Sequence, residues 1–271
     1  MNLSDKKTII NLLHKYNLWS KKSLGQNFLV DKNVLKKIIK TAELSTSDTV
    51  LEIGPGLGVL SQNLCQNSGK VIAIEKDDKI FQTLMQITKE FSNLVLINQD
   101  ILKFQTSKIK NYKIVANLPY NITAPVLKKF LTNKNKPKLI VLMVQKEVAK
   151  RICAQPGQMS ILAIMVQIYG RPKIIEIVKS SSFFPIPKVD SAILRIGHIN
   201  NKITVDEEDF FRCVKIGFSS RRKTLLNNLS AGYRIEKNKV KEFIKKIGLK
   251  EKVRAQELSI DKWQELVNLI R

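Results

Sequence analysis

The feature that most constrains this chain is the segment Leu51-Glu52-Ile53-Gly54-Pro55-Gly56-Leu57-Gly58. A short apolar run there meets glycines at alternate positions, and a helical pattern follows. Such a run is a strand whose end turns tightly and leaves backbone open to a ligand. Four further runs rich in Val, Ile or Leu share its character: Lys70 to Ile74, Leu94 to Ile97, Tyr112 to Ala116 and Lys138 to Val144. With Thr49 to Ile53 they alternate with charged helical stretches. That spacing predicts βαβ units around a buried, mostly parallel sheet. In such a sheet the carboxyl ends of the strands share one crevice, so residues at those ends carry the function.

What stands at the strand ends narrows the chemistry. A dinucleotide fingerprint needs glycine at the sixth position from Gly54, and this sequence has Val59. A dehydrogenase is therefore disfavoured. The pattern Glu-x-Gly-x-Gly-x-Gly instead resembles the first motif of S-adenosylmethionine-dependent methyltransferases, although a Gly-rich turn alone also fits a plain strand-to-helix connection. The next strand ends at Glu75, about 20 residues on, where a carboxylate can accept both ribose hydroxyls. The one after leads to Asp100, placed to accept from an adenine amine. Next comes Asn117-Leu118-Pro119-Tyr120. This belongs to the Asn/Asp/Ser-x-Pro-aromatic pattern of enzymes that methylate ring-conjugated amines. The lone pair of adenine N6 is delocalised, so acceptors aimed at its two N–H bonds are needed to free it. The Asn117 side-chain oxygen and a carbonyl near Leu118 can provide them. Pro119 stiffens the turn without offering an N–H, and Tyr120 can stack on the base. No general base is required, because the amine becomes acidic as the new bond forms. A paired base is out of reach, so the target is unpaired or extruded.

Charge supplies the partner. The 271 residues carry 47 Lys and Arg against 23 Asp and Glu, a formal net charge of +24. A Lys-rich background composition explains part of this excess, but not the shortage of acids, and a polyanion such as nucleic acid is expected. Both halves are basic: 30 basic and 13 acidic residues precede residue 200, with 17 and 10 from there on. Pro185, Pro187 and the stretch 197–202 interrupt the pattern, after which the chain reads as helical. A boundary near 200 is expected, with a methyltransferase domain and N-terminal extension over 1–199 and a small all-helical RNA-binding domain over 200–271. Acidic residues Asp206 to Asp209 suit the start of a helix running through Asn227. The run Ser160 to Tyr169, apolar on nearly every side, fits a buried helix, although periodicity alone does not separate that from a buried strand. An amphipathic helix follows Lys6 and Lys7, and no signal peptide or span of about 18 apolar residues is recognised. A cytoplasmic protein is expected. Cys65, Cys153 and Cys213 lie far apart, and His14 and His198 have no neighbouring ligand candidates, so neither disulfide nor metal site is expected.

With these residues in view, the chain resembles the ribosomal RNA adenine dimethyltransferases, and specifically the small-subunit (16S) type. The likeness runs through Lys21 to Leu29, Asn117 to Ile122, Val144 to Ala149, Phe183 to Ser191 and Phe218 to Leu225. It implies a Rossmann-like class I methyltransferase domain with a seven-stranded sheet and a helical C-terminal domain. It implies S-adenosylmethionine as cofactor and dimethylation of two adjacent adenines in the terminal hairpin of 16S rRNA within an immature small subunit, by a monomer. Asn27, Leu29, Gly54, Gly56, Glu75, Asp100 and Asn117 would hold the cofactor or face the amine. Phe183 fits the family's target-base aromatic position better than Phe184, where the family more commonly has a small residue. Arg221, Arg222 and Lys223 look like rRNA contacts, although a solvated helix face would read the same way. The large-subunit enzyme of the macrolide-resistance type, a DNA adenine methyltransferase and a non-catalytic assembly factor are the alternatives. The lead-in Lys21 to Gly25 and Leu118 favour the small-subunit type. No target-recognition insert supports the DNA enzyme, and the intact acids and Asn117 argue for chemistry.

Overall fold

A computed structural model of the chain describes residues 3, 5–16, 18, 27–107 and 109–271. The part of the lead-in from Lys21 to Gln26 lies outside the described residues. The chain forms two compact units, Met1–Ala149 with Arg171–Ile199, and Lys150–Gly170 with Asn200–Arg271.

The first unit opens with helix α1 (Lys6–Lys15) and strand β1 (Phe28–Leu29). It continues through α2 (Lys32–Ala42), β2 (Thr49–Ile53), α3 (Val59–Asn67), β3 (Lys70–Glu75), α4 (Asp78–Ile87), β4 (Leu94–Asn98) and β5 (Tyr112–Asn117). A single 3-10 turn, Tyr120–Ile122, leads into α5 (Thr123–Thr132), β6 (Leu139–Gln145) and α6 (Lys146–Ile152). Aspartates start the early helices: Asp5 accepts from Thr8 N, Asp31 from Asn33 N and Val34 N, and Asp77 from Lys79 N and Ile80 N. These bonds satisfy helix donors that would otherwise lack partners.

The five strands expected from the sequence are β2 to β6. Four pair in parallel as β4-β3-β2-β5, and β6 joins β5. Their central residues, such as Val50, Leu51, Val71, Ile114, Val115 and Val141, are wholly buried. Burying each such side chain contributes about 1.5–3 kcal/mol. Two more strands complete a seven-stranded sheet, β7 (Arg171–Val178) and β9 (Ser191–Gly197), giving the order β4-β3-β2-β5-β6-β9-β7. Only β9 runs against its neighbours. The sheet is thus the mostly parallel, Rossmann-like arrangement of a class I methyltransferase. β7 escapes a reading by apolar runs because it is an edge strand that carries Arg171, Lys173 and Glu176 exposed, as edges often do. A separate two-stranded ribbon pairs β1 with β8 (Phe183–Phe184), setting Leu29 opposite Phe183.

The second unit is helical. It contains α7 (Ile161–Gln167), α8 (Glu207–Gly217), α9 (Leu225–Tyr233), α10 (Lys237–Lys246) and α11 (Ile260–Ile270). Two expectations change here. Residues 150–170 belong to this unit instead of forming part of a continuous domain over 1–199. The cause is local bonding: Met159 N and Gly157 N donate to Gln256 O, Asn200 N donates to Tyr169 O, and the Tyr169 hydroxyl donates to Glu207. The helix expected from 206 through 227 is two helices, broken at 218–224. Trp263 packs so closely on Gly217 that a Cβ there would lie 2.3 Å from its ring. Thr224 then caps a new helix through Asn227 N, and buried Asn228 holds the intervening turn by donating to Gly217 O at 2.6 Å and Ser220 O at 3.0 Å.

Candidate active site

The carboxyl ends of β2, β3, β4 and β5 open on one cavity of about 570 Å³. That volume is typical of small-molecule sites. Asn27, Leu29, Gly54, Gly56, Glu75, Asp100, Asn117, Leu118, Pro119 and Tyr120 all line it. The strand order brings Gly54, Glu75, Asp100 and Asn117 together, and the β1–β8 ribbon adds Leu29.

Gly54 and Gly56 adopt φ values of +66° and +58°, a left-handed backbone that side chains disfavour. Gly54 N donates to Ile74 O at 2.9 Å, tying the turn to the next strand. At that strand's end Glu75 is 7% exposed. Its Oε1 accepts from Lys76 N at 2.8 Å and Asp77 N at 2.9 Å, and its Oε2 accepts from Gly56 N at 3.3 Å. Burial raises the Glu75 pKa, and these three donors oppose the rise. The carboxylate is therefore aimed before any ligand arrives, with Oε2 the less occupied oxygen. Asp100 lies just past the end of β4. Lys76 Nζ donates to its Oδ2 at 2.8 Å and Leu102 N to its Oδ1 at 2.9 Å. The Lys76 bond, first, and the Leu102 bond hold the Asp100 pKa below its ordinary value.

Asn117 closes the series. Its Nδ2 donates to the Asn27 carbonyl at 3.1 Å. That bond orients the amide and leaves Oδ1 as an acceptor. Leu118 N donates to Met143 O at 3.3 Å, and Ile122 N to Pro119 O at 3.2 Å. These bonds hold the backbone of the turn, and Leu118 and Pro119 line the cavity beside Asn117. Tyr120 lines the same cavity, with its hydroxyl bonded to Ser191 at 2.8 Å.

Phe183 does not join them. It is 2% exposed, belongs to the hydrophobic core and is absent from the cavity wall. The target-base aromatic position expected of Phe183 is not on the cavity wall here: Phe183 packs in the core where β8 pairs with β1, and its cross-strand partner Leu29 lines the cavity. Phe184, its neighbour, is partly exposed, with Lys6 Nζ 5.7 Å from its ring centroid.

Sequence reasoning assigned no role to Glu52. It lies in the cavity wall 1% exposed, and its Oε2 has no hydrogen-bond partner. Burial, reinforced by the charge of Glu75 and opposed by Ser61, pushes its pKa up to about 8. Its place as the first acid of the glycine motif was the available signal.

In the helical unit, Arg221, Arg222 and Lys223 are exposed in the turn held by Asn228. Among the described residues none of the three forms an ion pair. Arg151 lines a cleft of about 300 Å³ together with Arg221 and Lys223. Arg151 and Arg221 are so distant in sequence that no local pattern could have linked them. Among the described residues no group of three or more His, Cys, Asp or Glu is arranged to hold a metal, and no helix is long and apolar enough to cross a membrane.

The family model of the ribosomal RNA adenine dimethylases matches residues 17–271. This chain belongs to the ribosomal RNA adenine dimethylase family. It is 43% identical over 261 residues to a ribosomal RNA small subunit methyltransferase A of Dehalococcoides mccartyi, covering 94% of this chain and 90% of the relative. To the protein of the same name from Alkaliphilus oremlandii it is 39% identical, covering 98% and 97%. A dimethyladenosine transferase from Plasmodium falciparum superposes with a TM-score of 0.74 at 27% identity, over 88% of this chain and 95% of that one. The 23S rRNA methyltransferase ErmE shares the fold, with a TM-score of 0.74 at 24% identity over 90% and 99%. As a member of this family the protein is an S-adenosylmethionine-dependent rRNA adenine methyltransferase. The cavity fits that cofactor: an aimed, buried carboxylate ends the second strand, a left-handed glycine backbone borders it, and apolar walls from Ile53, Ile74 and Ile101 flank it.

Proposed function

We propose that this protein methylates N6 of two adjacent adenines in the 3′-terminal hairpin of 16S rRNA, as a monomer acting in the cytoplasm on the immature small subunit. The observation that carries the chemistry is Asn117, whose amide nitrogen is held by Asn27 so that its oxygen is left as an acceptor in the cavity that Glu75 borders. Relatives matched at 39–43% identity over nearly the whole chain bear the small-subunit name, which supports that substrate over large-subunit rRNA.

When bound, S-adenosylmethionine supplies a methyl group on a sulfonium that is also the leaving group. The chain's own residues do the rest. Glu75 would accept hydrogen bonds from the ribose hydroxyls, and Asp100, already bonded to Lys76, would accept one from the cofactor's adenine amine. Asn27, Leu29, Gly54 and Gly56 shape the wall. The Asn117 Oδ1 and the Leu118 carbonyl grip the N–H bonds of the target amine and turn its lone pair towards the methyl group. These acceptors are fixed in advance, so little reorganisation is needed during transfer. Pro119 keeps the turn rigid, and Tyr120 is the platform for the extruded base, where stacking is worth about 1–3 kcal/mol. Phe183 contributes from behind, through Leu29. Arg221, Arg222, Lys223 and Arg151 hold rRNA phosphates, contacts that position the RNA without reading sequence.

The test is to incubate the purified protein with labelled cofactor and immature small subunits from a strain lacking the modification, then map the methylated adenines. Two adjacent dimethyladenosines in the terminal hairpin are expected. Methyl groups in large-subunit rRNA would overturn the substrate, and cofactor binding without incorporation into any RNA would favour a non-catalytic assembly factor.

A further inference from the structure

We propose that Ser191 is a positioning residue for adenine methylation, its buried hydroxyl fixing the plane of the Tyr120 ring through their 2.8 Å hydrogen bond. This role rests on the reading of Tyr120 as the platform for the target base.

Tyr120 has two environments. It lines the cavity, yet its phenolic oxygen reaches away to the start of β9. A hydroxyl spent there cannot read the edge of a base. What Tyr120 offers an adenine is therefore ring surface, and the value of that surface depends on its angle. The backbone of the turn is already held, with Ile122 N bonded to Pro119 O and the Thr123 hydroxyl to Tyr120 O. Backbone bonds leave the two side-chain torsions of a tyrosine free. The bond to Ser191 removes that freedom.

Ser191 is suited to the task because it cannot yield. It is wholly buried. Two strands hold it in register, with Gln145 of β6 on one side and Val178 of β7 on the other. Asp190, just before it, is clasped as well. Its carbonyl accepts from Lys146 N at 3.0 Å, and its Oδ1 accepts from Ser180 N at 3.2 Å. The rigidity of three strands is thus passed through one hydroxyl to a ring in the crevice. The antiparallel strand β9, remote in sequence from the four strand ends that form the cavity, acquires a catalytic purpose in this way.

The consequence falls on turnover and spares binding. Docking of the RNA rests on phosphate contacts, whereas the base meets Tyr120 only after it leaves the stack. Tyr120→Phe and Ser191→Ala each delete the same bond with little change of volume. Each is expected to lower kcat on immature small subunits about three- to tenfold, the worth of one hydrogen bond. The KM for subunits and the Kd for S-adenosylmethionine stay within about twofold, since phosphate contacts and the cofactor wall are untouched. The double variant loses no more than either single one, because a bond is broken once. Wild-type kcat in both single variants, losses that multiply in the double variant, or an equal loss of cofactor affinity would each overturn the role of Ser191. Tyr120→Ala separates this from the reading beneath it. If Tyr120→Ala cripples turnover while Tyr120→Phe and Ser191→Ala do not, only the role of Ser191 fails. If Tyr120→Ala keeps wild-type turnover, the platform itself is wrong.

Discussion

At the ends of β2 to β5, Glu75 is buried and accepts three backbone N–H groups, whereas in the turn between α8 and α9 Arg221, Arg222 and Lys223 stand exposed, with no acidic partner among the described residues. In the crevice the charges and dipoles that matter are aimed by bonds to the backbone. In the turn only the backbone is aimed, through Asn228, and the cations are left to solvent. Buried, oriented groups act over a few ångströms and are little screened by salt. Exposed cations act over a Debye length, about 8–10 Å in physiological salt, and without regard to angle. On the proposed function the two regions divide recognition of one substrate: the exposed turn is suited to a polymer of phosphates, and the crevice to single atoms.

That contrast breaks most sharply at Asn117. If Asn117 acts as proposed, Asn117→Ala removes a fixed acceptor at the reacting amine and is expected to lower kcat about 10²–10³-fold, with cofactor affinity changed much less. Equal loss of both, by single-turnover rates and calorimetric titration, would place Asn117 in the cofactor wall only. Next in size is Glu75→Ala, which should weaken S-adenosylmethionine binding by about 10–100-fold, as expected for loss of hydrogen bonds to a charged group. The salt dependence of RNA binding should be untouched; a change in its slope would mean that the crevice shares the electrostatic role of the turn. The double variant Arg221→Ala with Arg222→Ala should behave in the opposite sense. RNA affinity falls, and the slope of log affinity against log salt flattens by about 1 for each phosphate no longer neutralised. Cofactor affinity is unchanged. An unaltered slope would show that these arginines are merely solvated.

The smallest effect concerns Glu52. Its pKa is raised from an ordinary 4.5 to about 8, so the folded state binds a proton that the unfolded chain has released. The stability this contributes is complete below pH 4.5, and is lost as the pH rises through 8. Glu52→Gln imitates the protonated acid. It should match the parent at pH 4.5 and melt on the order of a few degrees higher above pH 8 in the absence of ligand. Parallel melting curves for the two proteins across that range would show that Glu52 is already ionised. Substitutions in the basic turn should leave this pH dependence as it is.

The expected strands ended within a residue or so of the observed ones because all five read as short apolar runs, of which β2, β3, β5 and β6 are buried at nearly every central position while β4, at the edge of the sheet, is only partly covered. The residues at their ends were legible for the same reason: once the strands are known, Gly54, Glu75, Asp100 and Asn117 must meet. β7 and β9 were missed because an edge strand with exposed Arg171 and Lys173 has no such run, and because Pro185 and Pro187 between them resemble a linker. Phe183 was matched to the family's target-base aromatic position, and it lies buried where β8 pairs with β1. No pattern in the sequence announces a two-residue ribbon.

By itself, the sequence determined the mostly parallel sheet and the crevice at its strand ends where Gly54, Glu75, Asp100 and Asn117 meet, because these follow from periodicity and from which residue ends each strand. Tertiary structure alone decided that residues 150–170 fold with the helical unit, that Trp263 packs on Gly217 where α8 ends, and that Arg151 joins Arg221. It alone placed Ser191 behind Tyr120, 71 positions away. The physical reason is common to all four. Local pattern records which face of an element is apolar, but a contact between distant side chains exists only once packing has chosen which faces meet.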